Sequence, residues 1–403
     1  MEITESLDAI TEHSYQLCTV DTIPISQRLF RGSTFAFFGA IFGFYRPFVT
    51  EHFQVEGLDA VVRGEKAIQP PYLLLAQHNT WNDVINLPPV WFSFPSKHNF
   101  TGPTRTNYFP EHPRVNAFID AMTKKLFFHV YRTAIDREES IEEKQQLQEA
   151  NRKTRDDVLK LYQQGISIAL APEGTTKGTG RISPLRSGAY YYSHFETSEG
   201  KYVVPCLPVG MTYDFLSGRE NKGKRKHRVF ARVGKPFFYT PVLQEEGEEQ
   251  DTYKQRDKAA FNKLVHDAFI DLNTITAAQL GAVFFYDKIA RGERTMTFGQ
   301  FFPTLCSTVD ALKQMDGIHF DPALLDQERR HELMYRLYGA LLQEGYLVHS
   351  NGSETICQHR GLQEPTSLER YKQENILLYT HNKIAEVMEQ RSAIRDAIRQ
   401  SLS

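Results

Sequence analysis

Residues 72–83 read Tyr72-Leu73-Leu74-Leu75-Ala76-Gln77-His78-Asn79-Thr80-Trp81-Asn82-Asp83. A short apolar run behind Pro70-Pro71, with no polar side, predicts a strand buried on both faces of an α/β sheet. It stops at a polar cluster that holds a histidine and, five positions on, an aspartate. Open α/β sheets place their chemistry just beyond the carboxyl ends of such strands. Within a regular helix five residues turn two side chains roughly 140° apart. His78 and Asp83 can therefore pair only if His78 lies in the turn before a helix that starts near Asn79. There Asp83 accepts a hydrogen bond from one ring nitrogen and leaves the other to take a proton. Spacing alone is not diagnostic, because His266 and Asp271 repeat it. That second pair lies among Phe261, Leu264, Val265, Phe269 and Leu272, whose periodicity predicts a helix with the pair on its solvated face.

A second buried-strand run, Ile166-Ser167-Ile168-Ala169-Leu170-Ala171, ends in Pro172-Glu173-Gly174-Thr175. Two strands that each end in a small polar motif predict one shared crevice. Tyr131 to Arg137 is short and β-like and delivers Arg137 to the same end of the sheet. An arginine fork suits bidentate contact with phosphate, and Gly174 and Thr175 offer backbone amides and a hydroxyl to an anion. Glu173 can take hydrogen bonds from acceptor hydroxyls or orient Arg137. The plainer alternatives are a surface ion pair with Asp136 for Arg137, and a carboxylate closing a strand-end turn for Glu173. No serine or cysteine sits in a nucleophile-elbow motif, so His78 as a base acting on a substrate hydroxyl is favoured over a covalent intermediate.

Together the motifs resemble the phospholipid/glycerol acyltransferase family, whose hallmarks are His-four residues-Asp and Pro-Glu-Gly-Thr. The likeness covers roughly residues 30 to 240 and includes Ile135-Asp136-Arg137 and the runs Val203–Val209 and Val229–Gly234. Gln77, Asn79-Thr80 and Ala134 depart from the usual pattern, which bears on acceptor preference. The resemblance implies a mixed sheet flanked by helices, with His78 and Asp83 catalytic and Arg137, Glu173, Gly174 and Thr175 binding substrate. It implies acyl-CoA or acyl-carrier protein as donor and glycerol-3-phosphate or 1-acylglycerol-3-phosphate as acceptor, with no further cofactor and no metal. Glu374 to Asn382 is similar to the tail of glycerol-3-phosphate acyltransferases. The rival expectation is a lipid-binding or scaffolding protein that keeps the fold without turnover.

With 403 residues and a net charge of -2, nothing global points to nucleic acid. Cys18, Cys206, Cys306 and Cys357 are too scattered for a disulfide framework or a thiolate metal site. No secretory leader is expected, and the setting expected is the cytoplasmic face of a membrane. Thr34 to Phe44, flanked by Arg28, Arg31 and Arg46, is too short to span a bilayer, which needs about 20 apolar residues. It suits a helix in the membrane interface or one buried on the core. Aromatic residues between 84 and 131 are candidates for core or for an acyl-chain tunnel. Lys222 to Arg228 reads as a solvated hairpin tip, or as a contact for anionic lipid or carrier protein.

The chain divides into an N-terminal helical, membrane-interface segment (1–50), an acyltransferase domain (51–273) and a mainly α-helical C-terminal domain (274–403). Helical periodicity spans Ala277–Ala290, Phe298–Lys313, Leu324–Gln343 and Leu368–Met388, with a hairpin around Asn351-Gly352. Three helices and a hairpin match a winged-helix outline. Residues 274–403 hold 14 Lys and Arg against 16 Asp and Glu, however, so a packing or regulatory unit is favoured over a DNA-binding one.

Overall fold

The Leu73–Ala76 run forms a fully buried inner strand, as its composition predicts. The computed structural model describes residues 15–17, 43, 46–63, 67–79, 83–94, 99–104, 128–129, 141–175, 178–198, 200–221, 224–350, 353–368 and 370–402. Its main sheet has six strands: β1 (Thr50–Glu56), β2 (Leu73–Ala76), β3 (Asn99–Thr101), β4 (Ile166–Leu170), β5 (Cys206–Asp214) and β6 (His227–Val233). The spatial order is β1-β6-β5-β2-β4-β3, and every neighbouring pair is parallel except β5 with β6. This is a mixed sheet flanked by helices, as the family resemblance implies.

Alternation along β2 serves two cores. Leu73 and Leu75 pack with Val158 and Tyr162 of α3 (Ile141–Gln163), Tyr190 of α4 (Ser187–Ser193) and Phe261 of α5 (Gln250–Asp271). Leu74 and Ala76 face the other way, toward Val61 of α1 (Leu58–Val62) and Val90 of α2 (Asp83–Ser93). With both faces covered, β2 has no polar positions until it leaves the sheet.

Beyond α5 the chain is mostly helical. α6 (Ala277–Ala290) and α7 (Phe298–Leu312) each open on a capping box, from Thr276 with Gln279 and from Thr297 with Gln300. α8 (Gln327–Gln343), α9 (Ile376–Gln390) and α10 (Ser392–Leu402) complete a third core that also takes Leu216, Ile270 and Ile275 from the first unit and the link after it. The hairpin Leu347–Ser350 with Ser353–Ile356 forms as expected.

Several local expectations change. Ala60-Val61-Val62, an apolar run that reads as a short strand entering the sheet, is helical, because Gly57 at φ 77° turns the chain out of β1 and into α1. Two long helical readings are interrupted at capping residues. Asp326 accepts the amide of Arg329 and starts α8, and Asn375 accepts the amide of Leu378 and starts α9. In the N-terminal segment, Tyr15–Leu17 is a strand paired with Gly200–Val203. Thr34–Phe44, apart from Gly43, and most of the aromatic stretch after residue 94 lie outside the described residues. Among the described residues no helix is long and apolar enough to cross a membrane.

Candidate active site

β2 and β4 are adjacent and parallel, with Leu75 opposite Leu170, so the turns that follow them emerge at the same edge of the sheet. His78 lies in the turn after β2 and Asp83 opens α2. Nδ1 of His78 is 2.8 Å from Oδ2 of Asp83, the pairing that the five-residue spacing allows only across a turn. Asp83 is completely buried, while the His78 side chain is 23% exposed. Asp83 also accepts the backbone N–H of Asn79 at 2.6 Å and the hydroxyl of Tyr213. Those partners make it an acceptor, so Nδ1 carries the proton it shares and Nε2 keeps its lone pair. Among the described residues Nε2 has no hydrogen-bond partner.

Glu173, in the turn after β4, is buried with one oxygen on each turn. Oε1 accepts the backbone N–H of His78 at 3.0 Å and Oε2 accepts that of Ser183 at 3.0 Å. The carboxylate thus ties the histidine turn to the loop after its own strand. Gly174 sits at φ 64°, a conformation that favours glycine, and its N–H is spent on the carbonyl of Ala171 at 3.0 Å. Thr175 is half-buried in the same turn. Arg137 lies outside the described residues.

One side chain and one backbone carbonyl of the site come from β5, which runs on past the end of β2. Tyr213 donates to Asp83 and accepts from Nδ2 of Asn86 at 3.2 Å. Burial first, and then the Asp83 charge, push its phenol well above the usual range, so it remains a neutral donor. Met211 offers its carbonyl to Nδ2 of Asn79 at 2.6 Å.

The C-terminal unit also reaches the site. Lys383 of α9 is buried and donates to Oδ1 of Asn79 at 2.9 Å and to the carbonyl of Met211 at 3.0 Å. Burial pushes Lys383 down and Glu173 up, and the attraction between the two opposes both shifts. Lys372 is brought down to about 8 by burial, against the pull of Asp83 and Glu173. Its ammonium stands 5.1 Å from the centroid of the buried Tyr379 ring. The site therefore holds an imidazole, two carboxylates and two amines.

Strand-end position brought His78, Asp83 and Glu173 together in the sequence. Tyr213 carried no such mark, since a tyrosine inside an apolar strand reads as core. Lys383 did carry one: with Thr380, Ile384 and Val387 it lies on the buried side of α9, where a lysine is out of place. The rival pair dissolves, because His266 is half-buried and bonds Glu386 of α9 at 3.1 Å. At the end of the basic stretch, and inside β6, Arg228 is docked on the C-terminal unit. Arg228 makes a two-pronged contact with buried Asp321 at 2.8 and 3.0 Å.

No protein-family model and no curated protein matches the chain. Among solved structures it is similar to the 1-acyl-sn-glycerophosphate (LPA) acyltransferase PlsC from Thermotoga maritima. The match has 11% identity and a TM-score of 0.33, over 59% of this chain and 80% of that one.

Proposed function

We propose that this chain is an O-acyltransferase that moves a fatty acyl group from acyl-CoA or acyl-carrier protein to a hydroxyl of glycerol-3-phosphate or 1-acylglycerol-3-phosphate. The observation that carries the reading is the His78–Asp83 pair at 2.8 Å, at the strand end beside the Pro-Glu-Gly-Thr turn. Nε2 of His78 takes the acceptor's hydroxyl proton as that oxygen attacks the thioester carbonyl. Asp83 holds the ring in the required tautomer and stabilises the imidazolium that forms. The tetrahedral intermediate then expels the thiolate, which recovers the proton from His78.

The acceptor's phosphate calls for cations. Arg137 is the proposed bidentate contact, with Lys372 adding positive potential at the edge where His78 lies. Thr175 is a proposed hydroxyl contact from the turn whose Glu173 carboxylate and Gly174 N–H bond within the protein. Peripheral attachment at the cytoplasmic face of a membrane belongs to the same reading, because both the acyl donor and the product carry long apolar tails.

The test offers purified protein a labelled acyl thioester with glycerol-3-phosphate and with lysophosphatidate in parallel. One acceptor is expected to be esterified, and His78→Ala is expected to lower the rate about 10²–10⁴-fold. Transfer that survives this substitution removes His78 as the base. Failure of the unaltered protein on both acceptors favours the lipid-binding alternative.

A further inference from the structure

We infer that Lys383 is a positioning residue of the active site: from the C-terminal helix it fixes Asn79 and, through Asn79, the Asp83 carboxylate that orients His78. The inference rests on His78 acting as the base. Three groups close a ring of contacts at the end of β2. The Lys383 ammonium donates to the side-chain oxygen of Asn79 at 2.9 Å and to the Met211 carbonyl at 3.0 Å, and the Asn79 amide donates to that carbonyl at 2.6 Å. The carboxamide is thereby held at both of its polar atoms. The backbone N–H of Asn79 then meets Oδ2 of Asp83 at 2.6 Å, the same oxygen that faces Nδ1 of His78. A chain of hydrogen bonds thus runs from the amine to the imidazole, and its first link joins residues 304 positions apart in sequence.

Packing alone does not ask for a lysine here. The neighbours of Lys383 on its face of α9 are Thr380, Ile384 and Val387, and a methionine of similar length would fill the space without desolvating a charge. What the amine adds is its donors. Its placement is also fixed by the rest of α9, which docks on the loop after the Pro-Glu-Gly-Thr turn at several points. Glu386 accepts the N–H of Ile182 at 2.8 Å, Asn382 donates to the Thr179 carbonyl at 2.9 Å, and Glu389 pairs with Arg181. A Cβ at Gly180 would lie 2.0 Å from the Tyr379 carbonyl oxygen, so the loop and helix meet backbone to backbone. The C-terminal unit is in this way a wall of the site and not an appendage.

The experiment uses the full chain and the variants Lys383→Met, Lys383→Arg, Asn79→Ala and the double variant that combines K383M with N79A. Steady-state kinetics with the labelled thioester are read alongside the low-field proton NMR signal of the His78 Nδ1–H. K383M is expected to lower kcat about 10–100-fold with KM little changed, as a small misplacement of a reacting group does. It should also weaken or abolish the low-field signal. K383R, which keeps donors, should recover part of both, and K383M should cost little more once Asn79 is already alanine. Wild-type kcat in K383M, or the same loss in the N79A background, overturns the inference. If the unaltered chain transfers no acyl group, the functional reading fails, and the NMR signal alone decides the positioning role. Retention of the signal in K383M then refutes that role. Should K383M not fold, N79A tests the link from its other end, and an intact signal there refutes it equally.

Discussion

Tyr213 shows how much of this site depends on a single hydroxyl. Its O–H donates to a completely buried carboxylate, and the phenylalanine variant keeps the ring while leaving Asp83 one donor short. Hydrogen bonds to charged groups contribute about 1.5–3 kcal/mol. Tyr213→Phe is therefore expected to lower unfolding stability by about 1–3 kcal/mol, with the urea m-value unchanged, and to lower kcat with it. An unchanged midpoint would mean that Asp83 is held without Tyr213. At this scale the sequence disclosed residues whose position in a motif set them apart from their surroundings. His78 and Asp83 lie in the polar cluster that ends one apolar run, and Glu173 follows another. The role of Glu173 was open between a ligand for substrate and a closure for a turn. Both of its oxygens prove to be bound to backbone amides, a fact that depends on where Ser183 and His78 come to rest. Tyr213, Asn79 and Lys383 matter through contacts between distant parts of the chain, and no local pattern encodes such contacts.

Whole elements were more legible than their ends. The bounds of Ala277–Ala290 were clear because a capping box and an apolar periodicity agree there. The break at Asn375 was hidden, since asparagine also fits on a helix surface. Its side chain instead holds the carbonyls of Gly361 and Gln363 as well as starting α9. The docking of α9 carries a pH dependence of definite sign. The hydrogen bond to Glu386 raises His266 above its ordinary 6.5, with partial burial acting the other way and Asp267, 3.8 Å from Nδ1, adding to the rise. A pKa that is higher in the folded state gives stability that is complete below about pH 6.5 and is lost as pH rises through the folded value. His194, His227, His319 and His381 are all pushed down to about 4 by burial, so they work against the fold as pH falls below 6.5 toward 4. The quantity to measure is hence the difference in stability between the unaltered chain and His266→Gln between pH 6 and 8. That difference is expected to shrink as pH rises, and a flat difference would show that the His266–Glu386 contact carries no proton linkage.

At the scale of the whole molecule, the sheet and the helical unit are joined by charge as well as by apolar packing. Arg228, at the sheet end of this join, pairs with Asp321, which is fully buried and also accepts the N–H of Ala323 at 2.9 Å. Close by, Glu51 of β1 is 2.9 Å from Arg336 of α8. A division into domains at residue 273 is read from the sequence, where helical periodicity takes over. It describes the energetics poorly, because Leu216 and Ile270 from before that point belong to the C-terminal core. The two units should then unfold together. Trp81 and Trp91, the chain's two tryptophans, both precede residue 273, while much of the helix lies beyond it, so fluorescence and far-ultraviolet dichroism weight the two units differently. Asp321→Ala strands a buried guanidinium, a loss of about 3–5 kcal/mol when a buried pair is broken from one side. Glu51, at 3.8 Å from Arg228, recovers part of it, so the lower end of that range is expected. With cooperative units both probes should shift to lower urea together and stay coincident. Transitions that separate, with the tryptophan signal unmoved, would show that the sheet unit stands without its C-terminal partner and that the joint between them is not part of the fold's stability.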